Sequence, residues 1–284
     1  MFTAQELIGK VKNLPPVPQT ALKLVGLLDQ PSVSNDEVVA LLRCDNVLTA
    51  KLLRACNSPY FGLAEPVSSV DQAVFILGHQ QILHIVLTIS FGSAMVVSLP
   101  GYAGEANELW RHSLITATAG EIIADQFTNL NVEPPVAFTV GLLHDIGKLV
   151  LNQALTPDLQ KEIRTRADRE NLSRYEAELA VLGTNHAEVG GCLLQTWHLP
   201  EAVVEAAAHH HQPVLKPRPR LSAVTFLADR IAHQANSKPG QAKEGGLVSD
   251  EFLKVLPATP DEIADLITTV RESFEKVDHF MNLT

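Results

Sequence analysis

Aromatic side chains are scarce in this sequence, at 5% of 284 residues. A core of that size then has to be filled mainly by Leu, Val, Ile and Ala, a mixture that favours helices over sheets. Cysteine is rarer still: Cys44, Cys56 and Cys192 lie far apart, are odd in number and form no C-x-x-C pair. They are expected as small buried apolar residues in a reducing compartment. A long basic run is also missing. The formal net charge is −10, and the densest cationic patch, Lys216-Pro-Arg-Pro-Arg220, is short and broken by proline. Binding to DNA or RNA needs a cationic footprint, so no nucleic-acid partner is expected.

Two further absences concern membranes. The start, Met1-Phe-Thr-Ala-Gln-Glu6, has neither the charged beginning nor the apolar run of a signal peptide. The stretch from Gln72 to Pro100 holds no Asp, Glu, Lys or Arg, yet His79, Gln80, Gln81, His84, Thr88 and Ser90 stud it, and Gly78 and Gly92 interrupt it. A central, buried helix pair fits this pattern better than a bilayer span. No membrane association and a cytoplasmic location are expected.

What is present is helix punctuation. A first helix is expected over Thr3–Lys12, stopped by Asn13-Leu-Pro-Pro-Val-Pro18, and a second over Gln19–Asp29. Ser34-Asn-Asp-Glu37 reads as a capping box opening a helix to Arg43. Asp45 caps the next, which Asn57-Ser-Pro59 stops. Ser68 or Ser69 starts a helix that closes at Gly78, and His79 to Ser98 follows. Gly101 to Gly104, after Pro100, reads as a linker. A long helix is expected from Ala103 to Phe127, and another opening at Glu133-Pro-Pro135 and running through His144 and Asp145. Thr156-Pro157 starts a helix to Asp168. Ser173-Arg-Tyr-Glu176 and Asn185-His-Ala-Glu188 read as further capping boxes. Pro200 begins a helix ending in His209-His-His211, Leu221–Gln234 forms another, and Ser237–Gly246 reads as a mobile linker. Thr259-Pro260 opens a last amphipathic helix with Ile263, Leu266, Ile267, Val270 and Phe274 on its apolar side. No convincing period-two strand occurs. The fold class is all-α, with an N-terminal helical unit over 1–100, a second over 101–236, and a linker with a C-terminal helix over 237–284.

The chain is organised around Gly141-Leu-Leu-His-Asp-Ile-Gly-Lys148. Its adjacent His144 and Asp145 offer a nitrogen and an anionic oxygen at almost the same point, which suits a divalent metal or a proton-transfer pair. Around it stand Glu108 and His112, one turn apart on one helix, then His186, the run His209-His210-His211, and Asp229 in an otherwise apolar helix. Each has a plainer reading. His112 fits a half-buried face, Glu108 an exposed one, and His186 a helix's first turn. The histidine run fits a solvated helix end that complements the dipole. Asp229 needs a partner if buried, while adjacent Arg230 is compatible with a surface position. His79, His84, His198, His233 and His279 are read as structural or surface residues.

The N-terminal third adds a resemblance. Leu14-Pro-Pro-Val-Pro18, Leu27-Leu28 with Pro31, Asp45-Asn-Val-Leu-Thr-Ala-Lys-Leu-Leu-Arg54, Asn57-Ser-Pro-Tyr-Phe-Gly62, Ser69-Val-Asp-Gln-Ala73 and Leu77-Gly78 follow one another in that order. Together they resemble the HDOD family of bacterial signalling and regulatory domains, all-α relatives of the HD metal-dependent phosphohydrolases. The resemblance covers Leu14 to His233. It implies metal ligands at Glu108, His112, His144, Asp145, His186, His210, His211 and Asp229, with His209 a competitor within its run. It implies two divalent ions of the Fe, Mn, Zn or Co type, and reaction-centre roles for Asp145 and for Lys148, which matches the lysine of an H-D-x-G-K motif beside the reacting phosphate. A carboxylate such as Asp145 can bridge cations about 3.5–4 Å apart, the spacing of two-metal phosphoester chemistry.

One departure restricts the activity. The Gly-Tyr-Pro element that follows the His-His pair in cyclic-dinucleotide phosphodiesterases of this superfamily is replaced by Gln212-Pro-Val-Leu-Lys-Pro-Arg, so that activity is not supported. The leading expectation is a regulatory HDOD module with a retained metal site and a signalling partner or a small phosphate or nucleotide ligand. A working phosphohydrolase is the alternative, and a homodimer is compatible with the apolar N-terminal helices. An empty scaffold predicts eroded ligand positions, and almost none are eroded.

Overall fold

Side-chain caps decide where most of the helices begin. In the computed structural model, residues 1–11, 19–30, 32–96, 99, 107–212, 220–236 and 259–281 are described. Helix α1 (Ala4–Lys10) opens on a reciprocal box between Thr3 and Glu6, and α3 (Asn35–Arg43) on one between Ser34 and Glu37. Between them lies α2 (Gln19–Leu28). Asp45 caps α4 (Asn46–Cys56), its Oδ1 accepting from the Leu48 N–H at 2.9 Å. Ser69 caps α5 (Val70–Met95), which Gly78 interrupts with φ 73° and ψ 167°. A side chain there would be strained, so the glycine divides the charge-free stretch into the helix pair that the sequence predicts.

The chain continues through α6 (Glu108–Gln126), α7 (Pro134–Leu143), α8 (Gly147–Ala154), α9 (Pro157–Glu170), α10 (Arg174–Leu182), α11 (His186–Thr196), α12 (Glu201–Ala208) and α13 (Arg220–Asn236). Two C-terminal helices, α14 (Pro260–Glu272) and α15 (Phe274–Met281), complete it. No β-strand occurs among the described residues, and the fold is an all-α bundle.

Helix α6 is the hub: α7, α13, α14 and α15 all pack on it. Helix α11 receives α12, α8 and α1, while α5 gathers α2, α3 and α4 and touches α7. The buried core runs through all of these and is mostly aliphatic, with Trp110, Phe91 and Phe138 as its large members. Each fully buried Leu or Ile is worth roughly 1.5–3 kcal/mol relative to exposure. Two stretches, Val70–Gly92 and Pro134–Ala154, are long and apolar enough to cross a membrane, but 56% and 78% of their most apolar windows are buried inside the fold. They serve as core elements here.

Five local expectations need correction. The helix opening at Glu133 does not run through His144 and Asp145: α7 ends at Leu143, and a turn over 144–146 leads into α8. Asn185 caps α11, but Glu188 does not reciprocate, because its carboxylate accepts from the Thr184 hydroxyl at 2.7 Å. The histidine run lies beyond α12, which stops at Ala208. The last helix is two, divided at Ser273. Cys44 is exposed; only Cys56 is fully buried and Cys192 partly so. The linkers placed at 101–104 and 237–246 fall outside the described residues, as does all of 13–18.

Candidate metal centre

Two glycines let the His144–Asp145 turn sit where it does. A Cβ on Gly141 would lie 2.6 Å from Ala117 Cα, so α7 runs in backbone contact with α6. A Cβ on Gly147 would lie 2.0 Å from the His186 carbonyl oxygen and 2.6 Å from Gly190 N, so α8 meets the first turn of α11 just as closely. The turn is thereby pressed between His112 of α6 and His186 of α11.

Asp145 stands at the middle, almost fully buried. Its Oδ2 lies 3.3 Å from His144 Nε2 and 3.7 Å from His112 Nε2, and is paired with the Lys148 ammonium. Its Oδ1 points the other way, 3.4 Å from His186 Nε2 and 3.7 Å from His210 Nε2. Asp229 approaches from α13, with Oδ1 3.0 Å from His112 Nε2 and 3.7 Å from His144 Nε2. His186 Nε2 and His211 Nε2 are 2.7 Å apart. The donors therefore fall into two groups, Asp145 with His186, His210 and His211, and His112 with His144 and Asp229, each with its donor atoms within 4.8 Å of one another.

The donor set fits a divalent metal on three counts. Asp145 Oδ1, His144 Nε2 and His210 Nε2 are buried without a hydrogen-bond partner among the described residues, which is costly unless something else fills the role. The far ring nitrogens are engaged: His144 Nδ1 with Gly141 O at 2.8 Å, His210 Nδ1 with Ala207 O at 2.7 Å, and His186 Nδ1 with Glu178 Oε2 at 2.6 Å. A hydrogen on each Nδ1 leaves the Nε2 lone pair facing the centre. Mixed imidazole and carboxylate donors suit transition metals rather than calcium.

The electrostatics agree. Burial pushes His112 down to about 4, against the pull of Asp229, and pushes His211 down to about 3, helped by His186. His210 is held well below its ordinary value by burial and by His211. Burial alone would raise Asp145 and Asp229, but His144 and Lys148 around the first, and His112 and His233 around the second, hold both well below the usual carboxylate range. His144 alone moves upward: burial opposes this, and the Asp145 carboxylate outweighs it. For His112, His210 and His211 the neutral imidazole is favoured and for Asp145 and Asp229 the ionised carboxylate, the forms that a metal takes.

Of the positions expected from the sequence, His112, His144, Asp145, His186, His210, His211 and Asp229 converge. His209 is exposed and lies in neither donor group, whereas His210 and His211 lie together in one. Asp229 is buried, and the neighbouring Arg230 carries the surface position instead. Glu108 is exposed at the start of α6; it lines the cavity over the centre but belongs to neither donor group. Two neighbours were missed. His233, read as a structural or surface residue, is indeed exposed, yet it lies 3.3 Å from Asp229 Oδ1 and 4.5 Å, ring to ring, from His112; its spacing of four from Asp229 on one helix was the available signal for that contact. Glu178 is fully buried behind His186, and nothing in its local sequence marked it.

A cavity of about 900 Å³ opens over the centre. Asp145, Lys148, His186, His211 and Asp229 line it, together with Arg164, Arg174, Arg230 and Tyr175. Metal-type donors lie on the floor, and Arg164, Arg174 and Arg230 stand on walls that also carry Glu108, Asp168 and Glu176, so guanidinium groups are on hand for an anion above a metal.

The HDOD domain profile matches residues 14–213. An uncharacterized protein of Treponema pallidum is 25% identical over 96% of this chain, and the chain spans about half of that relative's length, 52%. An HDOD domain protein of unknown function from Geobacter sulfurreducens has a solved structure that is 25% identical, with a TM-score of 0.75 over 99% of this chain and 97% of its own. A structure from Shewanella amazonensis, provisionally described as a phosphohydrolase, is 23% identical, with a TM-score of 0.72 over 98% of this chain and 97% of its own; at that identity it shows the shared fold alone.

Proposed function

The chain belongs to the HDOD domain family, and we propose that it is a regulatory HDOD module whose two-metal centre binds and hydrolyses a phosphate ester. One observation carries this reading: Asp145 turns its two oxygens toward two separate donor groups at the floor of a cavity whose walls include Arg164, Arg174 and Arg230. His112, His144 and Asp229 would hold one ion, and His186, His210 and His211 the other, with Asp145 shared. Ions so held would supply Lewis acidity and would lower the pKa of bound water. Lys148 reaches the cavity while paired to Asp145, and places positive charge where phosphoryl oxygens gather negative charge. Arg164, Arg174 and Arg230 orient the anion from the walls.

A regulatory role is supported by how the centre is mounted. Helix α7 leads directly into His144 and stacks Phe138 on His84 of α5, ring centroids 3.8 Å apart. Metal or ligand at the centre thus bears, through one helix, on the N-terminal helices around α5.

The test is the metal content of the purified, tag-free chain by elemental mass spectrometry, beside His144→Ala/Asp145→Ala. We expect stoichiometric transition metal and hydrolysis of bis(p-nitrophenyl) phosphate or p-nitrophenyl phosphate in the wild type, and neither in the double variant. A wild type that stays empty after incubation with manganese, iron and zinc refutes the proposal.

A further inference from the structure

We infer that Glu178 is a positioning residue for the metal centre, and that an Arg174–Glu178–His186 relay sets the affinity of one half of it. The inference rests on the metal-binding reading above and adds a residue outside the ligand set. Glu178 belongs to α10, eight residues before His186, and its carboxylate is fully buried. Left alone, a buried carboxylate is destabilising; here one oxygen meets His186 and the other meets Arg174. Oε2 accepts from the His186 backbone N–H at 2.9 Å and stands 2.6 Å from His186 Nδ1, while Oε1 accepts from Arg174 Nε at 3.2 Å.

The backbone explains how these groups meet. Gly183 ends α10 in the left-handed region at φ 83°, and Asn185 caps α11 two residues later. The tight reversal carries the start of α11 back alongside α10, so the first residue of α11 faces Glu178. Two contacts then fix His186. The backbone bond sets where the residue starts, and the ring bond sets the rotation of the imidazole about its side-chain torsions.

A carboxylate on Nδ1 keeps the hydrogen there and the lone pair on Nε2. That nitrogen is 3.4 Å from Asp145 Oδ1 and 2.7 Å from His211 Nε2. His144 and His210 are oriented differently, by backbone carbonyls of their own helices. The relay therefore acts on the half formed by Asp145, His186, His210 and His211. The half formed by His112, His144 and Asp229 has no contact with Glu178 among its described hydrogen bonds and ion pairs.

The test is titration of the metal-free full chain with cobalt(II), followed by calorimetry and by the ligand-field absorption of the bound ion. The wild type is expected to take two equivalents. Glu178→Gln, equal in size and still an acceptor, is expected to keep the first and bind the second about tenfold more weakly; Glu178→Ala is expected to weaken it about a hundredfold. Nitrogen-15 spectra of the metal-free protein should show His186 protonated at Nδ1 in the wild type and a mixed tautomer in Glu178→Ala. If the alanine variant does not fold, the glutamine variant decides alone. Two equivalents at wild-type affinity in both variants overturn the relay and leave the metal reading standing. Equal loss of both equivalents in Glu178→Gln overturns its confinement to one half. A wild type that takes up no cobalt overturns relay and metal reading together.

Discussion

Replacing Gly147 with alanine adds a single methyl group at the tightest backbone crossing beside the centre. That methyl would sit 2.0 Å from the carbonyl oxygen of His186 and 2.6 Å from the amide nitrogen of Gly190, where ordinary van der Waals contact starts at 3.4 Å. Both neighbours are main-chain atoms of α11, so no side chain can swing aside; α8 has to retreat from α11 by about an ångström or more. Overpacking of this kind costs about 1–3 kcal/mol, and in a chain of this size each kcal/mol lowers Tm by roughly 2–4 °C. A drop of roughly 2–12 °C is expected in a thermal melt of the metal-free protein. Asp145 precedes the glycine by two residues and must keep Oδ1 3.4 Å from His186 Nε2, so the retreat should also weaken metal loading, read by cobalt titration. Gly26→Ala is the internal control: the position lies in α2 with nothing within 4 Å of the added carbon, and helix propensity there should stabilise by about 0.5–1 kcal/mol. If Gly147→Ala melts and loads like the wild type, the close approach of α8 to α11 is not what holds the turn in place.

The metal-free protein should lose stability as pH falls below about 6.5. His112 and His211, at about 4 and about 3 when folded, stay neutral while the unfolded chain takes up protons, so their contribution is present above the unfolded pKa and is lost as pH falls toward those values. The raised His144 acts oppositely, contributing below the unfolded value and less as pH rises. For His112 alone the loss is on the order of 3 kcal/mol; urea midpoints at pH 7 and 4.5 in chelator should differ, and should differ less in His112→Asn. An equal pH response in that variant would contradict the assignment. Metal loading should also slow amide hydrogen exchange in α5, the helix whose His84 stacks on Phe138; exchange there that ignores loading removes the regulatory coupling.

Much of this architecture was legible because the signals that start helices are local. Ser34 with Glu37 and Ser173 with Glu176 each close a ring over three residues, and such a ring forms whatever packs around it. Gly78 was readable for a related reason, since the conformation it adopts disfavours every other residue type. The turn over 144–146 was not readable. No proline, glycine or cap marks it, and the apolar pattern of α7 runs straight into that of α8. What stops the helix is tertiary: Gly147 has to meet the backbone of α11, and Gly141 that of α6.

The site divides along the same line. Its seven converging donors were legible from residue types in a familiar order, whereas spacing could not separate His209 from its neighbours, because the chain leaves α12 at Ala208 and only His210 and His211 turn inward. Glu178 shows the limit most clearly. In sequence, Arg174 and Glu178 are an i, i+4 pair on a helix with exposed Glu176 between them, the commonest of solvated surface arrangements. The same pair becomes a buried support for a metal ligand only once Gly183 reverses the chain and lays the start of α11 against α10. A residue that acts by holding another carries no mark of its own in sequence; its role is written in the backbone path that brings the two together.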